Sequence, residues 1–364
     1  MFGGTSAPTG IPTNPPNPPN YLYFSADNPS GTKSAGCYDT DSDELAVDWN
    51  DNSVGDLIPC FDHNTLSDLL ENNSLSWKYY AEYLDNIWVA PNGIKHICEG
   101  PNGQDPACTY SDFENHVQTQ SQNILTDLSA CTLSNVTWVV PPGQWSDHPG
   151  FQNNENNSIQ IEGGPAWVAS IVNALGNSQC KDGSVSYWDD TVIFVVWDDW
   201  GGWYDHIKLP PGMFIRGEEG TWGSGYVYGF RVPLLVISAY TGTNQNGNIV
   251  GYVSGACTGT GNCQNNTFPY QHDFGSILAF IEWNFLGPTA IGQINPQFEF
   301  ADGNAPDYER PPNLHVPLID FFPLYPTPRQ FVQIGIPPGQ WQNFNFTSYT
   351  GPYDDPDNDV IDDD

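Results

Sequence analysis

Residues 191–206, T-V-I-F-V-V-W-D-D-W-G-G-W-Y-D-H, contain the pattern that decides the fold. Residues 191–197 form a dense run of β-branched and aromatic side chains, which predicts a central strand buried on both faces of a sheet. Asp198 and Asp199 end this run, and a Gly-Gly turn leads on to a Tyr-Asp-His tripeptide that ends at His206. Because ligands of open α/β sheets bind at the carboxyl ends of the strands, the pattern predicts a functional site at the two aspartates.

The two adjacent carboxylates favour a metal site. Two such groups at the end of a buried strand repel each other unless a cation or a proton lies between them. Their oxygen atoms suit a hard or borderline divalent ion, so Ca²⁺, Mg²⁺, Mn²⁺ and Zn²⁺ are the candidate cofactors. The alternative is a solvated turn in which Asp198 and Asp199 are merely exposed, and the pattern alone leaves both interpretations open.

A second polar cluster follows a predicted strand over residues 136–140. It contains Asp147 and His148, within the stretch W-S-D-H-P-G. An aspartate and a histidine together can bind phosphate, orient a leaving group or hold a second metal ion. The alternative is a turn aspartate beside a helix-capping histidine. Neither polar stretch contains a Gly-rich phosphate loop or a G-x-S-x-G motif, which argues against nucleotide-binding folds and α/β-hydrolases.

The rest of the pattern predicts strands that alternate with helices. Another apolar strand is predicted over residues 231–238, and apolar residues at helical spacing predict four helices. These helices are expected over residues 63–86, 115–130, 163–176 and 272–286. Strands alternating with helices at such spacings predict an α/β sandwich with a mainly parallel central sheet.

The charge of the chain limits its partners. Its 364 residues include 43 acidic and 9 basic side chains, which give a net charge of −34. Nucleic-acid binding requires clustered lysine and arginine, so we expect no nucleic-acid partner, and anionic membranes are disfavoured for the same reason. Hydrophobic residues make up 38% of the chain, but no apolar run approaches the ~20 residues that a transmembrane helix needs.

The eight cysteines predict an extracellular protein. None lies in a CxxC pair, and an even, dispersed set is typical of disulfide bonds formed in an oxidising compartment. Two pairings across short loops are expected, Cys257–Cys263 and Cys98–Cys108. Candidate glycosylation sequences begin at Asn72, Asn135, Asn156, Asn265 and Asn345. Since the first residues lack the basic and apolar regions of a signal peptide, we expect the sequence to begin inside a longer precursor.

Several long motifs occur in one order along residues 20–290. The first are "PPNYLYF", "TLSDLLENNSLSWKYYAE" and "WVVPPGQWSDHPG". They are followed by "GGPAWVASIVNALGNS", "WDDTVIFVVWDDWGGWYDHIKLPP", "YGFRVPLLVISAYTG", "GYVSG" and "HDFGSILAFIEWNFLGP". Together they resemble the bacterial phosphoesterase family, which contains phosphatidylcholine-type phospholipases C and related acid phosphatases. The resemblance implies an alkaline-phosphatase-like α/β/α sandwich with a mainly parallel central sheet.

The resemblance also implies roles for the polar residues. The family hydrolyses phosphate esters through a metal-activated serine or threonine, and the acidic pair that ends its long strand supplies metal ligands. That role carries over to Asp198 and Asp199. The Asp-His-Pro motif supplies groups near the phosphate, which carries over to Asp147 and His148, and His206 lies near enough in sequence to contribute.

Two features of the family are not found in this sequence. The family begins with a strand that ends in a Glu-Asn pair of metal ligands, and its nucleophile precedes a Pro-Asn-x-Leu-Tyr motif. An ungapped match places Gly4 at the nucleophile's position; only a shifted match places Thr5 or Ser6 there, and Thr5 is taken as the candidate nucleophile with Ser6 as the alternative. We therefore expect either a processed or truncated form or a relative that has lost catalysis.

The sequence as a whole predicts an extracellular metal-dependent phosphoesterase that acts on phosphomonoesters or phospholipid headgroups. The alternative is a non-catalytic extracellular protein on a degenerate form of this fold, with a structural, adhesive or self-assembling role. The expected organisation is an irregular segment (1–20), a phosphoesterase-like α/β domain (21–290), a Pro-rich extension packed on that domain (291–350) and an acidic tail (351–364).

Overall fold

The structure is a computed structural model in which regular elements lie between residues 23 and 290. It describes residues 2, 23–24, 36–38, 44–47, 53–57, 60–84, 88–142, 145–146, 152–153, 158–159, 163–180, 186–199, 231–241, 272–291, 317–318, 321–322 and 328–335. The strands within these residues are β1 (Tyr23–Phe24), β2 (Glu44–Val47), β3 (Ser53–Leu57), β4 (Trp77–Ala81), β5 (Val117–Thr119), β6 (Val136–Val139), β7 (Gln152–Asn153), β8 (Ser158–Ile159), β9 (Val192–Val196) and β10 (Leu234–Ser238). The α-helices are α1 (Leu66–Asn72), α2 (Lys95–Cys98), α3 (Ser111–His116), α4 (Asn123–Ala130), α5 (Gly163–Gly176) and α6 (Phe274–Leu286).

A parallel sheet of three strands has the order β5-β4-β6. Tyr79 of β4 lies opposite Val117 of β5, and Trp77 of β4 lies opposite Val136 of β6. The sequence of β4, W-K-Y-Y-A, is rich in aromatic residues that suit a pleated and buried surface. The predicted mixed α/β class is confirmed, with β6 close to its predicted position.

The strand that ends before Asp198 is paired differently from the prediction. β9 pairs antiparallel with β10, Val196 opposite Leu234, and its side chains are half-buried rather than fully buried. The expectation of a mainly parallel sheet therefore does not extend to this pair. Local patterning identifies a strand, but the direction of pairing depends on the path of the residues between the two strands. The other two sheets, β1-β2-β3 and β7-β8, are also antiparallel.

Two of the predicted helices are wrong in extent because each contains a strand. The first, over residues 63–86, ends in the structure at Asn72 and is followed by β4. Ser74 adopts a left-handed φ of 59°, which reverses the chain after α1, and the aromatic run that follows favours a strand. The second, over residues 115–130, is divided into the end of α3, β5 and α4.

The later helices agree with the prediction. α5 begins at Gly163, with Pro165 in its first turn, and ends at Gly176. α6 begins two residues later than predicted because Asp273 caps it, accepting a hydrogen bond from the backbone N–H of Ser276.

One face of the strands is covered by α4 and α5. Ile124 and Leu128 of α4 and Leu175 of α5 share a core cluster with Tyr80 of β4 and Ile193 of β9. Burial of each such side chain contributes about 1.5–3 kcal/mol. This cluster therefore holds the parallel sheet and the β9-β10 pair together from one side.

The other face is covered by α6. Phe280 of α6 packs edge-on against Phe194 of β9, with ring centroids 5.4 Å apart, and contacts the same cluster as Leu234 of β10. Leu278 of α6 belongs to the cluster that contains Trp77 of β4. Because successive side chains of a strand point to opposite faces, helices cover both faces of the strands.

Three disulfide bonds lie within the described residues: Cys37–Cys60, Cys98–Cys108 and Cys131–Cys180. The predicted Cys98–Cys108 pair is confirmed, and Cys257–Cys263 lies outside the described residues. None of the helices in the described ranges is long and apolar enough to cross a membrane.

Candidate active site

Asp198 and Asp199 follow directly on the carboxyl end of β9. The strand ends at Val196, and both aspartates lie on a bend with exposed side chains. β9 is anchored on both of its faces, so the backbone that leads into the bend is fixed by the core. The structure thus presents two neighbouring carboxylates at the end of a rigid strand, as the sequence predicted.

β6 and β9 begin at the same edge of the fold. The backbone N–H of Leu133, just before β6, donates a hydrogen bond of 3.1 Å to the hydroxyl oxygen of Tyr187, just before β9. The Cys131–Cys180 disulfide joins the segments that lead into the two strands. Since both strands start at this amino edge and share one core cluster, the loops after them leave from the opposite, carboxyl edge.

The loop after β6 contains the second predicted cluster. Trp145 and Ser146 are described in this loop, and the backbone N–H of Trp145 donates to the carbonyl of Pro142 at 2.8 Å. Asp147 and His148 come next in the chain but lie outside the described residues. Of the predicted site residues, His206 and Thr5 also lie outside them, so the structure locates the aspartate pair of this set.

Glu82 is a carboxyl-edge residue that the sequence pattern did not identify. It follows Ala81, the last residue of β4, and therefore lies at the same edge as the exit from the parallel strand β6. Its Oε2 atom is buried and has no hydrogen-bond partner among the described residues. Burial raises the pKa of Glu82, because the charged form loses its hydration. A carboxyl group of this kind can hold a proton above the usual pH range of a glutamate.

Ser121 lies at the same edge, after the neighbouring strand. It follows β5 by two residues and is fully buried, and its hydroxyl oxygen has no hydrogen-bond partner within the part of the chain that the structure describes. Buried polar groups normally form hydrogen bonds. A buried hydroxyl without one at the carboxyl end of a strand is therefore a candidate to bind a water molecule or a ligand. Because the sequence pattern predicted continuous helices over β4 and β5, it did not place Glu82 and Ser121 at the ends of strands.

A comparison with known families identifies the chain. The model of the phosphoesterase family matches residues 11–286, which is well over half of the sequence. The chain belongs to the phosphoesterase family. The matched region contains both strands whose carboxyl ends carry the predicted polar clusters, and it ends with α6.

The relatives of this phosphoesterase-family chain include bacterial phospholipases C. Phospholipase C B of Mycobacterium tuberculosis is 27% identical over 283 residues, which cover 71% of this chain and 46% of the relative. Phospholipase C A of the same organism is 26% identical over 50% of this chain and 35% of the relative. A non-hemolytic phospholipase C of Burkholderia pseudomallei is 22% identical over 49% of this chain and 28% of the relative. The matched part therefore spans less than half the length of each of these relatives.

The donor set at the end of β9 fits a divalent cation. Asp198 and Asp199 offer up to four carboxylate oxygens, and hard divalent ions prefer oxygen ligands. Both side chains are exposed, so solvent reaches this bend. The carboxylate oxygens of the pair are therefore of the kind that a divalent ion prefers, and Glu82 follows a strand that ends at the same edge.

Proposed function

We propose that this protein is a metal-dependent phosphoesterase. The observation that carries the proposal is the exposed Asp198–Asp199 pair at the carboxyl end of β9, in a chain that the phosphoesterase family model matches over residues 11–286. The proposal includes an alkaline-phosphatase-like arrangement of the sheet, and the helices on both faces of the strands support it.

Asp198 and Asp199 would hold the divalent cation. When bound, such an ion polarises the phosphoryl oxygens and offsets their negative charge. The two aspartates fix the position at which a phosphate group can approach, because β9 is packed on both faces and allows the bend little movement.

The remaining proposed roles fall to residues of the predicted site, most of which lie outside the described residues. Thr5 is the proposed nucleophile, and His148, beside Asp147, would give a proton to the leaving oxygen. His206 would add a further polar contact to the phosphate. Glu82 supports a role in holding a proton near the site, because its Oε2 atom is buried at this edge and burial raises its pKa.

The charge of the protein favours one class of substrate. A net charge of −34 repels a phosphate monoester, which carries up to two negative charges, more than a zwitterionic phosphodiester. We therefore propose phosphodiesters with a cationic headgroup, of the phosphorylcholine type, as the preferred substrates. The names of the phospholipase C relatives are consistent with this class.

An extracellular location is part of the same proposal. Three disulfide bonds among the described residues support an oxidising compartment, because such bonds are rare in a reducing cytosol.

The test is a hydrolysis assay of the full chain with its disulfides intact. A chromogenic phosphate monoester and a chromogenic phosphorylcholine ester are each supplied with Ca²⁺, Mg²⁺, Mn²⁺ or Zn²⁺. We expect turnover of the phosphorylcholine ester that exceeds turnover of the monoester and that a chelator abolishes. Absence of turnover with all four ions would contradict the catalytic proposal and favour the non-catalytic extracellular role.

A further inference from the structure

A second cluster of metal-binding side chains lies at the amino end of β4, away from the carboxyl edge. Glu71 in the last turn of α1 and Asp112 and His116 of α3 bring one ligand atom each within 4.8 Å of one another. The Nε2 atom of His116 lies 3.5 Å from Oδ1 of Asp112 and 3.8 Å from Oε1 of Glu71. These three residues, named here the amino-edge cluster, are not used by the proposed hydrolysis.

The orientation of His116 is fixed by Trp77, the first residue of β4. Its Nδ1 atom lies 2.9 Å from the carbonyl oxygen of Trp77, which can only accept, so Nδ1 carries a hydrogen and donates it. The imidazole ring also stacks on the Trp77 indole at 4.2 Å with an interplanar angle of 9°. In the neutral ring this leaves Nε2 with a lone pair, and Nε2 is the ring nitrogen that lies near the two carboxylates. Metal-binding histidines are typically oriented in this way, with the other ring nitrogen donating to a carbonyl.

Glu71 is oriented by the same tryptophan. The indole N–H of Trp77 donates a hydrogen bond of 2.6 Å to Oε1 of Glu71. Trp77 is itself buried, with 2% of its surface exposed, and therefore provides a rigid support for both Glu71 and His116. Ligands that a buried residue holds in place lose little conformational entropy when they bind an ion.

The spacing of the donor atoms suits a shared ion better than direct hydrogen bonds. An N–H···O bond is normally about 2.7–3.2 Å long, and the contacts of His116 with Asp112 and Glu71 are longer, at 3.5 and 3.8 Å. Two ligands of a tetrahedral zinc ion, each about 2.0–2.2 Å from the metal, lie about 3.4 Å apart. The contacts are close to that separation, and two carboxylates with a neutral imidazole balance the charge of a divalent cation.

We propose that the amino-edge cluster binds a divalent transition-metal ion of the zinc class. An imidazole with two carboxylates favours Zn²⁺ over Ca²⁺ or Mg²⁺, which prefer oxygen ligands throughout. The ion ties the end of α1 to the end of α3 beside the first residue of the central strand, so it stabilises the fold. The net charge of −34 raises the local concentration of cations around the site.

The test is a zinc titration of the full chain in which Asp198→Asn and Asp199→Asn remove the proposed catalytic ligands. A chromogenic chelator that competes for Zn²⁺ reports binding at neutral pH. We expect one bound equivalent, at least tenfold weaker binding after His116→Gln or Asp112→Asn, and unchanged binding after Glu114→Gln. Glu114 is the matched control because it is an exposed carboxylate on the same helix, α3. Zinc is also expected to raise the thermal unfolding midpoint of the parent and to leave that of the His116→Gln variant unchanged.

Two results would overturn the site. Absence of zinc binding in the parent would mean that His116, Glu71 and Asp112 contact one another without an ion. Equal zinc affinity in the parent and in the His116→Gln variant would place the ion elsewhere. Should the His116→Gln variant fail to unfold cooperatively, the Asp112→Asn variant replaces it, with zinc affinity and the zinc-dependent unfolding midpoint as the two measurements. The Asp112 side chain is 49% exposed and therefore tolerates a change to its amide. The outcome is independent of the hydrolysis assay, which reports on the proposed active site at the opposite edge of the fold.

Discussion

The tripeptide Trp-Asp-Asp occurs on both sides of β9, and the two copies differ in structure. Trp188-Asp189-Asp190 precedes the strand as a short 3₁₀ helix, and Trp197-Asp198-Asp199 follows it on a bend. The aspartates are exposed in both copies. The tryptophans differ, because Trp188 is buried with 7% exposure and Trp197 is half-buried.

The first copy packs against the core at the amino edge through Trp188. The indole N–H of Trp188 donates to the carbonyl of Arg329 at 2.7 Å, and its ring packs against Phe331 with centroids 5.2 Å apart. The backbone carbonyl of Asp189 accepts a hydrogen bond of 2.8 Å from the Tyr240 hydroxyl. The second copy presents its carboxylates at the carboxyl edge. Position at a strand's carboxyl end, rather than residue identity, therefore decides which acidic pair is a candidate metal site.

The largest effect that separates the two copies is expected in stability. Trp188→Ala removes a buried ring and leaves the Arg329 carbonyl without its donor, so we expect a loss of about 3–5 kcal/mol in the free energy of unfolding. Trp197→Ala should cost less than half of that, because its side chain is partly exposed. Urea unfolding of the two variants measures both values. Equal losses would show that Trp188 and Trp197 contribute equally to stability, which would contradict the different roles assigned to them.

The second effect is on hydrolysis. Asp198→Asn should lower kcat/KM for the phosphorylcholine ester at least about 100-fold, which is about 2.7 kcal/mol, because a neutral amide is a poor metal ligand. Asp189→Asn, the matched change at the other edge, should leave kcat/KM within about twofold. Steady-state assays at saturating cation provide both numbers. A similar loss in both variants would indicate a general effect of negative charge rather than a site after β9.

The smallest expected effect is on the pH dependence of stability. It arises from a histidine that belongs to neither acidic pair. His96 lies between Asp68 and Asp62, with its ring nitrogens 2.9 and 2.7 Å from their carboxylates. The hydrogen bond with Asp68 is the main cause that raises the pKa of His96 to about 9, against an ordinary value of 6.5. Because the folded pKa is the higher one, this stabilisation is complete below pH 6.5 and is lost as the pH rises through 9.

We therefore expect about 1–2 kcal/mol less stability at pH 9.5 than at pH 6 from this group, with allowance for the exposed side chain of Asp62. His96→Gln should remove that part of the pH dependence, and Asp198→Asn should retain it. Urea midpoints at the two pH values provide the measurement. An unchanged pH dependence in the His96→Gln variant would assign it to other groups.

Local sequence was sufficient for some parts of the fold. α5 and α6 were predicted because each has an apolar stripe, and Pro165 in the first turn also marks the start of α5. β6 and the end of β9 were predicted from their β-branched runs, which also placed Asp198 and Asp199 at a carboxyl end.

Other parts depend on contacts that are distant in sequence. Trp77 belongs to a strand because it pairs with Val136 of β6, whereas its spacing from Leu66 and Leu70 resembles a helix. That error concealed Glu82, whose buried carboxyl is a property of the end of β4. The antiparallel direction of β10 and the contrasting surroundings of the two Trp-Asp-Asp copies also arise from long-range packing, such as the contact of Trp188 with Phe331.

Cation binding by two matched triple variants tests whether a metal site lies at the carboxyl end of β9. Both carry His116→Gln, which removes the amino-edge cluster; one adds Asp198→Asn with Asp199→Asn, and the other adds Asp189→Asn with Asp190→Asn. Each is titrated with Mn²⁺, and the free ion is followed by electron paramagnetic resonance. We expect at least tenfold weaker Mn²⁺ binding when the aspartates after β9 are changed, and unaltered binding when those before it are changed. Equal Mn²⁺ affinity in the two variants would contradict a metal site at the carboxyl end of β9.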